Sequence, residues 1–202
     1  MYNMSRIKIT LIFLIFFIIP FFVWANEFTE KNHKIMLEIK KNILALDNIV
    51  IDFYQYDQQN NGTIGRIFVK QQKIRVDYQN PRTILIIKGN RLIYHDLELD
   101  QITTFANSEV VKLNFFSNLR KNIENLSINT ENFKNIEAVV PLEEKTVKLI
   151  LDGEQAYLIK KIIINDNNSN DITLLVNMIS SGNIIDDKMF STYRQIKKVG
   201  RF

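Results

Sequence analysis

No cysteine occurs among the 202 residues. Its absence excludes disulfides, thiolate nucleophiles, Cys-ligated zinc or iron–sulfur centres, and a lipid attached through an N-terminal Cys. Glycine is scarce, with six in the whole chain, which leaves little material for a phosphate-cradling loop. Histidine occurs twice: His33 falls on the polar side of an expected helix and His95 on an expected strand, with no pair at helical metal-binding spacing. HExxH, GxSxG and GxxxxGK[ST] are all missing. The sequence therefore offers no catalytic residue, metal set or cofactor motif, and an enzyme is not expected.

Charge of one sign is also modest. The formal net charge is +4, without a Lys/Arg block, and Arg6 and Lys8 lie in a segment expected to be removed. So mild a surplus argues against nucleic-acid binding. Apolar residues make up 46% and charged residues 24%, ordinary globular usage that fits neither disorder nor a multispan membrane protein.

Arg6 and Lys8 precede an apolar run from Ile9 to Val23, broken by Thr10 and Pro20, and in Val23-Trp24-Ala25 the small or short residues Val23 and Ala25 stand three and one positions before Asn26. This is the layout of a secretory signal peptide over residues 1–25, cut after Ala25. The run is shorter than the roughly 20 apolar residues that span a bilayer, which disfavours a permanent anchor. Residues 26–202 are then expected to be a single soluble exported domain.

Behind it, Ile35, Ile39 and Ile43 recur every four residues with Met36 and Leu46, while Glu30, Lys34, Glu38, Lys40 and Lys41 take the other side, which predicts an amphipathic helix. From Ile49 the period changes to two. Runs at Gly62 to Lys70, Lys73 to Tyr78, Thr83 to Lys88 and Arg91 to Asp96 predict an antiparallel meander, with a Gly89-Asn90 hairpin turn. Leu113 to Leu126 reads as a second helix, and Lys145 to Leu151, Tyr157 to Asn165 and Ile172 to Ile179 as further strands. About ten or eleven strands should curl into a barrel or deeply curved sheet with two short helices over its open face. Asp186-Asp187 and Glu143-Glu144 are adjacent pairs, which on strands would point to opposite faces; they read as solvated turn residues.

The residues from Gly65 to Gln101 carry a resemblance. Gly65-Arg66-Ile67-Phe68-Val69-Lys70, Lys73-Ile74-Arg75-Val76-Asp77-Tyr78 with Pro81, and Ile86-Ile87-Lys88-Gly89 through Tyr94-His95-Asp96 to Gln101 follow one order and spacing. With Phe53-x-Gln55 upstream, and Leu158-x-Lys160-Lys161-Ile162, Asp166, Ile172-Thr173-Leu174 and Asn183 to Phe190 downstream, they resemble the periplasmic outer-membrane lipoprotein carriers of the LolA family over roughly Phe28 to Phe190. The resemblance is one of pattern, and the last group resembles that family's closing strands.

It implies a mainly β (α+β) fold: a half-open antiparallel barrel of about eleven strands with a short helical lid over an apolar cavity. The implied function is that of a monomeric periplasmic chaperone that binds the acyl chains of lipoproteins. Such a carrier receives them from an ATP-driven inner-membrane transporter and passes them to an outer-membrane receptor. That receptor has the same fold but an N-terminal Cys, so a chain without cysteine fits the soluble role. The expected cavity wall comprises Phe53, Ile74, Val76, Tyr78, Ile87, Leu92, Tyr94 and Phe116. A related reading keeps the fold for an envelope lipid-binding or stress-regulatory protein that shuttles nothing.

Transfer of one chain of roughly sixteen carbons from water is worth on the order of 12 kcal/mol, a gain that nearly cancels against a bilayer. A carrier must therefore hold acyl chains about as well as a membrane does, with the lid supplying the bias. Where the family commonly has Lys-Arg-Pro, its Arg bonding to the lid, this chain has Lys70-Gln71-Gln72. Gln71 is the expected lid contact, through its side-chain amide.

Overall fold

In the computed structural model the described residues are 30–56, 59, 61–106, 115–130, 134–142, 145–166 and 171–191. The expected leader and Glu143-Glu144 lie outside them. Contacts divide the chain into a unit of residues 1–38 and a unit of residues 39–202. The second contains every strand among the described residues.

Residues 30–44 form helix α1, ended by a turn in which the Ala45 N–H returns to the Lys41 carbonyl. The strands are β1 (Ile49–Tyr56), β2 (Gly62–Lys70), β3 (Lys73–Tyr78), β4 (Thr83–Lys88), β5 (Arg91–Asp96) and β6 (Gln101–Ala106). Helix α2 (Phe115–Lys121) and a 3-10 turn (Ile123–Asn125) come next. Then follow β7 (Ser127–Asn129), β8 (Asn135–Pro141), β9 (Lys145–Asp152), β10 (Leu158–Asp166), β11 (Asp171–Ser180) and a second 3-10 turn (Asp187–Phe190). All eleven strands pair antiparallel in the order β6-β5-β4-β3-β2-β1-β11-β10-β9-β8-β7. The two ends, β6 and β7, do not meet, so the sheet is a half-open barrel.

Two meanders are thus joined by the pairing of β1 with β11, the only neighbours distant in sequence. Extra residues at Asn177 on β11 and Lys160 on β10 interrupt the ladder. Bulges of this kind bend the strand and increase its twist.

Strand parity sorts side chains onto two faces. The inner face carries Ile49, Ile51 and Phe53 of β1, Ile67 and Val69 of β2, Ile74, Val76 and Tyr78 of β3, and Leu85 and Ile87 of β4, all aligned by register. Ala138 and Val140 of β8 continue it through Val147 and Leu149 of β9 to Ile162 of β10. The outer face carries a second cluster: Ile86 of β4, Ile93 of β5, Ile185 and Phe190, flanked by Val50, Phe68, Ile84, Ile102 and Met189.

Three expectations change, and the expected Gly89-Asn90 hairpin turn forms between β4 and β5. Asn183 to Phe190 contains no strand; it is an irregular strap ending in the 3-10 turn, laid over the outer face. Its polar groups are met by side chains, since Lys70 Nζ donates to the Ile185 carbonyl at 2.8 Å and Arg75 Nη1 to that of Met189 at 2.9 Å. Asp187 is accordingly no mere solvated turn residue: it sits 3.0 Å from Lys70 Nζ and 2.9 Å from Lys73 Nζ. The helix expected from Leu113 to Leu126 is shorter in its described part, because the Asn122 side chain bonds back to the Asn118 carbonyl and Asn122 leaves helical geometry. At the Gly89-Asn90 turn only Gly89 takes positive φ, 60°.

Candidate functional site

The inner face is the candidate site. Its local construction is clearest where Phe53, Gly65 and Tyr78 stand side by side on β1, β2 and β3. A Cβ on Gly65 would lie 2.5 Å from the Phe53 ring, so glycine there is what lets the ring lie across β2. Phe53 then meets Tyr78 edge to face, with centroids 5.8 Å apart and planes at 89°. The Tyr78 hydroxyl donates to Gln55 Oε1 at 2.9 Å. Burial pushes the Tyr78 phenol above its ordinary value, so it stays neutral through the physiological range. Between the strand ends, the register places no charged side chain on this face among the described residues.

Cover is uneven. Ile39 and Ile43 of α1 turn onto the sheet, and between the end of α1 and strands β1, β9, β10 and β11 lies an apolar cavity of about 310 Å³ lined by Ile39, Ile43, Ile49, Leu151, Ile159 and Ile179. The Asn42 amide closes its rim by donating to the Ala156 carbonyl at 3.1 Å. Phe116 and Leu119 of α2 are buried, and the 3-10 turn after α2 lies against β8. On the other flank, Val76, Leu85, Leu92 and Tyr94 are only half-buried, and Phe105 of β6 is 50% exposed.

Of the eight expected wall residues, Phe53, Ile74, Val76, Tyr78, Ile87, Leu92 and Tyr94 share this one face by register. Phe53, Ile74, Ile87 and Phe116 are buried as packing, while Val76, Tyr78, Leu92 and Tyr94 keep partly open surfaces. Leu85 and Phe105 belong beside the open group. The odd positions of Thr83 to Lys88 pointed to Leu85, whereas polar Gln101-Ile102-Thr103-Thr104 gave β6 no clear apolar face.

Gln71 meets the helices through its backbone. It occupies the left-handed region at φ 55°, its N–H donates to Asp47 Oδ1, and its carbonyl accepts from Arg120 Nη2 of α2. The guanidinium expected to be missing therefore comes from the helix side of the contact. The reason is geometric: a positive φ turns both peptide groups of Gln71 outward to the covering elements. Lys40 and Glu124, 2.7 Å apart, tie α1 to the 3-10 turn.

His95 is buried on the outer face, 3.4 Å from Asp100. Among the described residues no three His, Asp or Glu side chains gather as a metal site, and no buried side-chain polar atom lacks a partner.

No protein-family model matches this chain, and no curated protein does. Solved structures do. An uncharacterized conserved protein from Thermus thermophilus superposes with a TM-score of 0.49 at 10% identity, over 80% of this chain and 93% of the other. The lipoprotein LppX of Mycobacterium tuberculosis gives 0.44 at 9% identity, over 77% of this chain and 100% of its own. MucB gives 0.39 at 12% identity, over 76% of this chain and 61% of its own.

Proposed function

We propose that this protein is a soluble periplasmic carrier that binds the acyl chains of lipoproteins released from the inner membrane and carries them to an outer-membrane receptor. It acts as a monomer, without catalysis or cofactor. The observation that carries this reading is the uncovered half of an otherwise apolar inner face: Val76, Leu85, Leu92, Tyr94 and Phe105 present apolar surface without a charge among them. A folded protein rarely leaves such a surface half-covered unless something apolar visits it. Its neutral, hydrogen-bonded Tyr78 is compatible with hydrocarbon.

The contacts at Gln71 supply a way to regulate access. One guanidinium, one carboxylate and two backbone groups hold the covering elements to the β2–β3 turn, so opening requires breaking a few polar bonds rather than unfolding the sheet.

The test is to express the protein with its export machinery, purify it from the envelope fraction without detergent and identify bound species by mass spectrometry. Acylated lipoprotein termini are the expected result. Phospholipid alone would replace the carrier role with that of a lipid-binding envelope protein, and an empty protein that takes up no acyl probe would end the acyl-binding reading altogether.

A further inference from the structure

The outer face carries a row of cations of which two fasten the strap and two have no such role. Lys70 of β2 pairs in register with Lys73 of β3, Lys73 with Lys88 of β4, and Lys88 with Arg91 of β5. Four cations therefore stand directly opposite one another, on one face and at one end of four adjacent strands. With strands about 4.8 Å apart, the row is about 14 Å long. Like charges directly opposite across a ladder oppose folding, and here three such pairings follow in succession.

Asp187 of the strap offsets only part of this charge, binding Lys70 and Lys73. Lys88 and Arg91 are exposed and have no carboxylate partner among the described residues. The opposite end of the same strands carries Asp77, Asp96, Glu98 and Asp100 with Arg66 and Arg82, and Asp77 is paired with Arg75 at 2.6 Å. The sheet is thus electrically polarised along its strands.

The basic end also exposes apolar side chains. Ile184 stands fully in solvent at 103% relative exposure, next to the residue whose carbonyl takes Lys70 Nζ. Phe105, half exposed, lies across from Leu92, one position in from Arg91. An acidic protein partner would be served by the cations alone. A cation row beside lone projecting apolar side chains fits a bilayer better, where phosphates meet the charges and the apolar groups enter the headgroup boundary.

We propose that the Lys70-Lys73-Lys88-Arg91 row, with Ile184, is a docking edge for an anionic phospholipid surface. The cations and Ile184 stand off the inner face, and docking through them does not depend on acyl binding there. It would set the turn end of β2 to β5 against the membrane, the end at which Gln71 holds the covering elements.

The experiment is co-sedimentation of the full chain with phosphatidylcholine vesicles containing about 30% phosphatidylglycerol, against phosphatidylcholine alone, at low and high salt. Binding to the anionic vesicles only, abolished by salt, is expected. Each cation near the surface is worth about fivefold in partitioning, so Lys88→Ser with Arg91→Ser should weaken binding about 25-fold. The same double variant should melt no lower than the parent, because it removes a like-charge pairing.

Ile184→Ser should weaken binding by about tenfold. Arg82→Ser, at the opposite end of the strands, should bind as the parent does. Because the variants are otherwise identical in sequence and prepared alike, differences between them report the docking edge alone. A parent indifferent to headgroup charge, a parent that binds no vesicle, or a double variant that binds like the parent would each overturn the proposal.

Discussion

The two flanks of the inner face are built from the same apolar alternation and end in different states. On β8 and β9, Ala138, Val140, Val147 and Leu149 have no exposed surface at all. On β3 to β5, Val76, Leu85, Leu92 and Tyr94 occupy equivalent inward positions and remain half-open. Alternation decides which face a side chain joins, whereas closure depends on what lies above it. The α2 segment returns to the β8 side, where its 3-10 turn packs. A sealed flank gives the domain its stability, and an open flank gives it a surface to fill.

The largest expected effect breaks this comparison directly. Leu149→Ala removes a side chain with no exposure and leaves a cavity under a cover that cannot collapse into it, at a cost of about 3 kcal/mol. Leu85→Ala, the same chemical change on the open flank, should cost about 1 kcal/mol, since solvent already reaches that site. Urea titration of both variants checks the difference. Equal losses would mean that the open flank is as well packed in solution as the sealed one.

The second effect concerns function rather than stability. Val76→Glu places a carboxylate on the half-open wall, where the free protein can hydrate it but a bound acyl chain would strip that water away. Uptake of a fluorescent fatty acid should fall more than tenfold while the melting temperature changes little. The same substitution at Ile74 should instead damage folding, because Ile74, on the same face of β3, is buried. An acyl probe that binds both variants normally would move the site away from this flank.

The third effect addresses the joint between sheet and cover. Arg120→Met keeps much of the side chain's length but removes its bond to the Gln71 carbonyl; at this exposed position a loss of about 1 kcal/mol is expected, together with faster entry of the acyl probe. Gln71→Gly should not share that loss. The contact is made by the backbone, and glycine adopts φ 55° without the steric penalty of a side chain. Paired measurement of melting temperature and probe entry separates the two. A Gln71→Gly variant that fails like Arg120→Met would assign the contact to the glutamine side chain after all.

These contrasts also mark what the sequence made legible. The meander from Gly62 to Asp96 was readable to the residue, since clean alternation on β3 and the two-residue turns at Gln71-Gln72 and Gly89-Asn90 leave little freedom of register. The inner placement of Ile74, Val76 and Tyr78 followed from the same alternation. The outer cluster was harder, because it depends on a strap that follows the strands it covers at long range in sequence, after β7 to β11 have intervened. One signal did exist: Ile84-Leu85-Ile86-Ile87 is apolar on both parities, as a strand covered on both faces must be. The backbone contact at Gln71 had no such signal, because a side-chain motif says nothing of a non-glycine residue's positive φ. β6, with threonines on both parities, and the three-residue β7 gave no periodic pattern long enough to read.

The smallest effect sharpens the comparison from the outer side, where polar bonds rather than burial fasten the strap. Hydrogen bonds from Lys73 and then Lys70 hold the Asp187 carboxyl below its ordinary value of 3.8. A carboxylate depressed in the folded state contributes stability above the unfolded value, and that contribution disappears as pH falls through the lower folded value. The strap should therefore be unaffected from neutral pH down to about 4 and loosen only in stronger acid. The inner face, which by register carries no carboxylate or histidine between its strand ends among the described residues, should show no such transition. Hydrogen exchange at Lys188, Met189 and Ser191, whose amides bond within the strap, can be followed against exchange at Leu149 as pH is lowered. Asp187→Asn should abolish the acid-specific step by making the strap equally loose at every pH. If the strap instead loosens between pH 5 and 7, its fastening would depend on groups other than Asp187, and the electrostatic account of the outer face would have to be rebuilt around them.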